Sequence, residues 1–130
     1  FPALAKTGID FIDCSSHLGL DPIFGTEHSL SGLAREYTGL PVMANGKLAQ
    51  PEDAETALTR GEGDFVAIGK AALADYNWPR KIAGGEAVVP FNPGMTMPYA
   101  TLDCYEAFWD ANPTGIPAEK IEARDVTEGA

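Results

Sequence analysis

Two short stretches carry the residue types that hold an anion. "ANGKL" places Gly46 and Lys47 directly after an apolar run, and "AIGKA" places Gly69 and Lys70 in the same setting. A glycine at such a point lets backbone N–H groups approach an anion closely, and a neighbouring lysine adds a full positive charge. A third stretch, Ser15-Ser16-His17 at the end of "DFIDCSS", adds hydroxyls and an imidazole. The chemistry such residues would serve is recognition of a phosphate-like group. The same residues also suit tight turns with solvated lysines, so the local pattern leaves both readings open.

The surrounding elements decide whether these tips can meet. "DFIDCSS" reads as a strand, and "HSLSGLAREYTG" places Leu30, Leu33, Ala34 and Tyr37 on one helical stripe that ends near Gly39. "LPVMANG" is a continuous apolar run, expected to be a parallel strand buried on both faces. A helix from Pro51 follows, with Glu52, Asp53 and Glu55 favouring its dipole and Ala54, Ala57 and Leu58 facing inward, closing at Gly61. "DFVAIGK" is a third strand of the same kind, running into an alanine-rich helix. Strands alternating with helices predict right-handed βαβ units and one parallel sheet, whose C-terminal edge gathers all three tips. In such folds ligands bind beyond that edge.

Composition narrows the partners. With 130 residues, the chain is expected to hold one core. Its formal charge of −10 opposes a broad nucleic-acid surface, so any phosphate must be held in a local pocket. Neither a run of 18 apolar residues nor a signal peptide is visible, so a membrane is not expected and a cytoplasmic setting is. Cys14 and Cys104 lack metal or disulfide-framework spacing and read as reduced thiols. No metal site and no catalytic residue is nominated. Glu27, Asp21 and the carboxylates of "EGD" read as solvated loop acids, and His28 as a solvated residue or cap partner. His17 is expected to bond to backbone, with contact to a ligand at the strand ends as the alternative, and Asp13 is a candidate for a buried polar network whose partner the sequence does not name.

Beyond Gly84 the texture changes. Eight glycines and prolines fall between Gly84 and Gly115, and the aromatics Phe91, Tyr99, Tyr105, Phe108 and Trp109 accompany them. Residues 84–130 therefore read as an extended tail wrapping a barrel surface or a partner, ending in the polar run "EKIEARDVTEGA".

Taken together, "GIDFIDCSS" and "GLPVMANGKLAQPEDAETALTRGEGDFVAIGKAALADYNWPRKIAGG" resemble the C-terminal part of the Old Yellow Enzyme family, the FMN-dependent NADH:flavin oxidoreductases. The likeness is close over about residues 5–83 and looser in the tail. It implies an α/β fold, the C-terminal three βα units of a (β/α)8 TIM barrel: residues 1–83 would supply strands six to eight and the FMN phosphate site. It also implies FMN as cofactor and NAD(P)H as co-substrate of the parent enzyme. Carried over residue by residue, the resemblance puts Asn45, Gly46 and Lys47 after strand seven, and Ile68, Gly69 and Lys70 after strand eight, around the phosphate, with Ser16 near the flavin.

Two positions depart from the family pattern. Lys70 stands where arginine is usual and lacks its planar fork, and His17 follows Ser16 where a small residue is usual. The family's proton donor and substrate-orienting pair belong to the N-terminal part of the barrel. On this reading the chain is a piece of a longer enzyme, inactive alone, whose partner is the missing part of the barrel or a second copy. The alternative is a non-catalytic partial barrel acting as a structural or assembly unit. A different FMN or sugar-phosphate barrel is a third possibility.

Overall fold

Three short strands organise the first half of the chain: β1 (Ile12–Ser15), β2 (Val42–Asn45) and β3 (Phe65–Ala67). They form one sheet in the order β1-β2-β3, and both pairings are parallel. The structure, a computed structural model, describes residues 1–113; the terminal "EKIEARDVTEGA" run lies outside the described residues. By contact the chain divides into two units, Phe1–Ala72 and Leu73 onward, whereas the sequence reading put the division at 83/84.

The helices follow local signals. α1 (Pro2–Ala5) is a single turn, and α2 (Leu30–Thr38) begins at Ser29, whose hydroxyl accepts the Gly32 N–H at 3.2 Å. Gly39, at φ 65°, ends α2 and donates to the Arg35 carbonyl, the left-handed cap that glycine allows. α3 (Pro51–Thr59) starts at a proline, where the missing N–H costs nothing. Ala34 of α2 packs with Ile12, Cys14 and Val42, while Ala57 of α3 packs with Ala44 and Leu48 against Val66. Tyr37 and Leu58, expected inside, are instead 55% and 47% exposed: the buried face of α2 is made by Ser31, Gly32, Leu33 and Ala34, and that of α3 by Ala57.

Both helices therefore lie on one face of the sheet. The other face carries Asp13, Met43 and Phe65 in one tier and Ser15, Asn45 and Ala67 in the next. The expectation that β2 and β3 are buried on both faces fails here, for β3 has no buried residue and Phe65 is 51% exposed. Burying a second face needs a second layer, and neither α2 nor α3 reaches it. Asp13, expected in a buried network, is exposed on this face.

The second unit is not simply extended. It contains α5 (Trp78–Gly84), a 3-10 turn over Pro93–Thr96 and α6 (Leu102–Ala111), with α4 (Lys70–Ala74) crossing into it. Thr101 caps α6 by accepting the Cys104 N–H, and Leu102, Tyr105 and Trp109 recur at helical spacing. Tyr105 and Phe108 each meet Trp109 edge to face, at 6.0 and 5.2 Å between ring centres. A Cβ on Gly94 would stand 2.9 Å from the Phe108 ring, so that glycine lets the turn sit against α6. The dense glycines and prolines before Thr101 hid this helix from the sequence reading.

Candidate functional site

The parallel register brings the nominated tips together. Ser15 pairs with Asn45, and Asn45 with Ala67, so Ser16, Gly46 and Ile68 leave the sheet side by side. The Ser16 N–H donates to the Asn45 carbonyl at 2.9 Å, and the Gly19 N–H donates to the Ser16 carbonyl at 3.2 Å. The Ser16 hydroxyl is engaged locally, accepting the Leu18 N–H at 3.1 Å. His17 is exposed at the same edge.

Gly46 is demanded by this packing. Its φ is 128°, and a Cβ there would lie 1.6 Å from the Ser16 carbonyl oxygen, so no other residue fits. The interlock extends to Gly19, which the sequence reading did not single out: at φ 63°, a Cβ on it would lie 2.8 Å from the Gly46 carbonyl oxygen and 3.1 Å from the Lys47 Cβ. Lys47 itself has φ 54°, and its Nζ lies 3.3 Å from Asp21 Oδ2, with both side chains well exposed.

Gly69 behaves differently. A Cβ there would find no atom of the described residues within 4 Å, and its φ lies outside the left-handed region, so nothing among the described residues requires a glycine. It is exposed, as is Lys70, while Ile68 is half-buried. Lys70 opens α4, whose five residues are too few to build a substantial helix dipole. What the strand tips offer an anion is therefore loop amides and two lysines.

Of the acids of "EGD", expected to be solvated, Asp64 is exposed but held by specific bonds, whereas Glu62 is buried. Glu62 is 3% exposed, accepts the Ser29 N–H at 3.2 Å and pairs with Arg60. Asp64 accepts the Val42 N–H at 2.9 Å and both arms of Arg35, at 3.2 and 3.0 Å, while Arg35 Nη1 also reaches the Gly61 carbonyl. The Val42 N–H, then Arg35, hold the Asp64 carboxyl below its ordinary range against a partial desolvation. These acids tie α2 to the starts of β2 and β3. A cavity of about 430 Å³ beside them is lined by His28, Arg35, Glu36 and Arg60 among others, but Arg35 and Arg60 are already engaged by acids. His28 faces Glu36 at 3.8 Å, as befits an exposed local partner. Burial, then the neighbouring Asp13 carboxylate, pushes the Cys14 thiol up, which keeps it protonated and inert.

In the second unit, "DYNWPRK" has a structural explanation. Asp75 is 3% exposed; its carboxylate binds Lys81 Nζ at 2.8 Å and accepts the Asn77 and Val89 N–H groups, both at 3.1 Å. That pins α5 to the segment after it.

No family model matches the chain. Among curated proteins, the bilirubin reductase of Clostridium symbiosum is 33% identical over 96 residues, covering 64% of this chain and 26% of that protein. The NADH oxidase of Thermoanaerobacter brockii is 37% identical over 51 residues, 39% of this chain and 8% of that protein. An NADH:fumarate oxidoreductase of Klebsiella pneumoniae is 30% identical over 96 residues, 68% of this chain and 10% of that protein. This chain resembles part of the Old Yellow Enzyme-type NADH:flavin oxidoreductases. The fold agrees: a variant of NCR from Zymomonas mobilis superposes with a TM-score of 0.60 at 22% identity, over 80% of this chain and 33% of that one. The Old Yellow Enzyme-like chain thus spans about a quarter or less of the curated relatives named here, all of them oxidoreductases. Among its described residues, no helix is long and apolar enough to cross a membrane.

Proposed function

We propose that this chain forms the C-terminal three βα units of an FMN-dependent NAD(P)H oxidoreductase barrel and contributes its FMN phosphate site. The observation that carries the proposal is Gly69. Gly46 is explained by the Ser16 carbonyl pressed against it, whereas Gly69 opens onto free space beside Lys70, where a Cβ would fill the approach of an anion. The residues fit a phosphate: Gly46 and Gly69 supply close backbone, Lys47 and Lys70 supply charge on a chain that is otherwise acidic, and Asn45 and Ile68 set the two loops. Ser16, bonded to Asn45, braces the edge beside the flavin. When bound, FMN would carry electrons from NAD(P)H to the acceptor.

The sheet face away from α2 and α3 supports the barrel half of the proposal. Asp13, Ser15, Met43, Asn45, Phe65 and Ala67 alternate with the helix-facing residues as barrel-interior residues do, and β1 and β3 each keep an edge that no strand of the described residues pairs. The remaining strands of such a barrel are the partner this chain would take, in the cytoplasm. The same face and edges favour a second reading, a non-catalytic unit that persists by self-association.

FMN titration of the purified chain, followed by flavin absorbance and fluorescence, tests both. We expect binding that Lys70→Ala weakens tenfold or more, about 1.4 kcal/mol. Absence of binding by the chain, restored by adding the complementary N-terminal part, assigns this piece a passive role. Absence of binding by the completed barrel overturns the FMN reading, and association independent of FMN then supports the second one.

A further inference from the structure

The root of Lys47 is fixed and its head is not. Gly46 is locked against the Ser16 carbonyl, and the missing Cβ of Gly19 leaves room for the Lys47 Cβ, which would otherwise lie 3.1 Å away. The backbone of Lys47 is held at φ 54°, an unusual conformation for a residue with a side chain. Its ammonium, by contrast, meets an exposed carboxylate, Asp21 Oδ2 at 3.3 Å, with the two side chains 63% and 64% exposed. Asp21 lies two residues beyond Gly19, and its own N–H donates to the Leu18 carbonyl at 3.2 Å. The loop that clamps the root of Lys47 therefore also presents the carboxylate that takes its head.

We infer that Asp21 is a competing counter-ion of the anion site, holding the Lys47 ammonium until a phosphate takes it. This rests on the phosphate-site reading above. An exposed carboxylate pair is weak enough to exchange, and a phosphate dianion attracts an ammonium more strongly than a single carboxylate does. Asp21 thereby lowers the affinity of the site for any anion that needs Lys47, which makes it a positioning residue that disfavours weak, singly charged anions.

The test uses the full chain, wild type and Asp21→Asn, Lys47→Ala and the double variant, titrated with inorganic phosphate and separately with FMN. Amide chemical shifts of Gly46 and Gly69 report binding, and far-UV circular dichroism confirms the fold. Asp21→Asn is expected to tighten phosphate binding about twofold to fivefold, the range an exposed pair supports. Lys47→Ala weakens it, and Asp21→Asn added to Lys47→Ala changes nothing further. A merely structural Asp21 would weaken binding when replaced, which overturns the inference. An equal gain in the Lys47→Ala background also overturns it, because the effect would then be plain repulsion. Phosphate binding with no Asp21 effect sinks the inference alone, whereas no response at Gly46 or Gly69 in any variant sinks the phosphate-site reading with it.

Discussion

The two strand-end glycines, alike in sequence, are predicted to respond in opposite ways to a single methyl group. In Gly46→Ala the new Cβ would sit 1.6 Å from the Ser16 carbonyl oxygen, at a φ of 128° that residues with side chains avoid. The backbone conformation alone costs about 1–3 kcal/mol. Relieving the overlap means moving one strand end away from the other, a further cost of about 1–3 kcal/mol as for overpacking in a rigid interior. The total, about 2–6 kcal/mol, is a large part of the 5–15 kcal/mol that holds an ordinary domain together. With a urea m-value of about 2 kcal/mol/M, the unfolding midpoint should fall by roughly 1–3 M. Gly69→Ala meets no atom within 4 Å and no left-handed φ, so its midpoint should be unchanged, or rise through a gain of up to about 1 kcal/mol from the less flexible unfolded chain. Urea titration by far-UV circular dichroism measures both. A Gly46→Ala midpoint within error of wild type would refute the interlock of the strand ends. A Gly69→Ala loss above about 1 kcal/mol would show that the second glycine is structural after all, and would remove the observation on which the phosphate reading stands.

Two further predictions concern the exposed Asp64 and the buried Asp75. The Asp64 carboxyl is held low by the Val42 N–H and Arg35, so its stabilisation is fully present above the unfolded aspartate value, about 4, and is lost as pH falls through the lower folded value. The difference in urea midpoint between wild type and Asp64→Asn should be widest near pH 7 and close below pH 4; a difference constant from pH 7 to 3 would contradict this. In the second unit, Asp75→Ala strands the Lys81 ammonium, 10% exposed, and leaves the Val89 and Asn77 N–H groups without their acceptor, for a loss of about 3–5 kcal/mol. Tryptophan fluorescence reports that unit, since Trp78 and Trp109 both lie in it; a loss under about 1 kcal/mol would show that the pair is not needed there.

What the sequence disclosed was periodicity and punctuation. The succession of three strands, the helices between them and the end of α2 near Gly39 could all be read from spacing, because each is a local property. Contacts between distant residues could not. Glu62 and Asp64 look like ordinary loop acids until folding brings Ser29, Arg35 and Val42 to them, 22 to 33 residues away in the chain. Gly19 carried no signal for the same reason, since its neighbour is the carbonyl of Gly46 on the next strand. The α6 helix was hidden in another way: a short amphipathic stripe with a threonine cap was outweighed by the glycines and prolines just before it.

The strand-end site joins these two kinds of information. Sequence alone treats Gly46-Lys47 and Gly69-Lys70 as equivalent, and a phosphate reading based on either would be equally good. The structure separates them, because one glycine is used up by the fold and the other is not. A glycine that its own chain explains is no argument for a ligand; one that its chain leaves unexplained is. Lys47 follows the first and is clamped at its root, while Lys70 follows the second at the start of α4. If a phosphate binds at this edge, Lys47 should act chiefly as a charge whose availability Asp21 controls, and the Gly69-Lys70 pair should determine whether the anion fits. Variants at 69 and 70 would then both lower affinity, the one at 69 without loss of stability, whereas a variant at 46 would lower affinity only by loosening the fold.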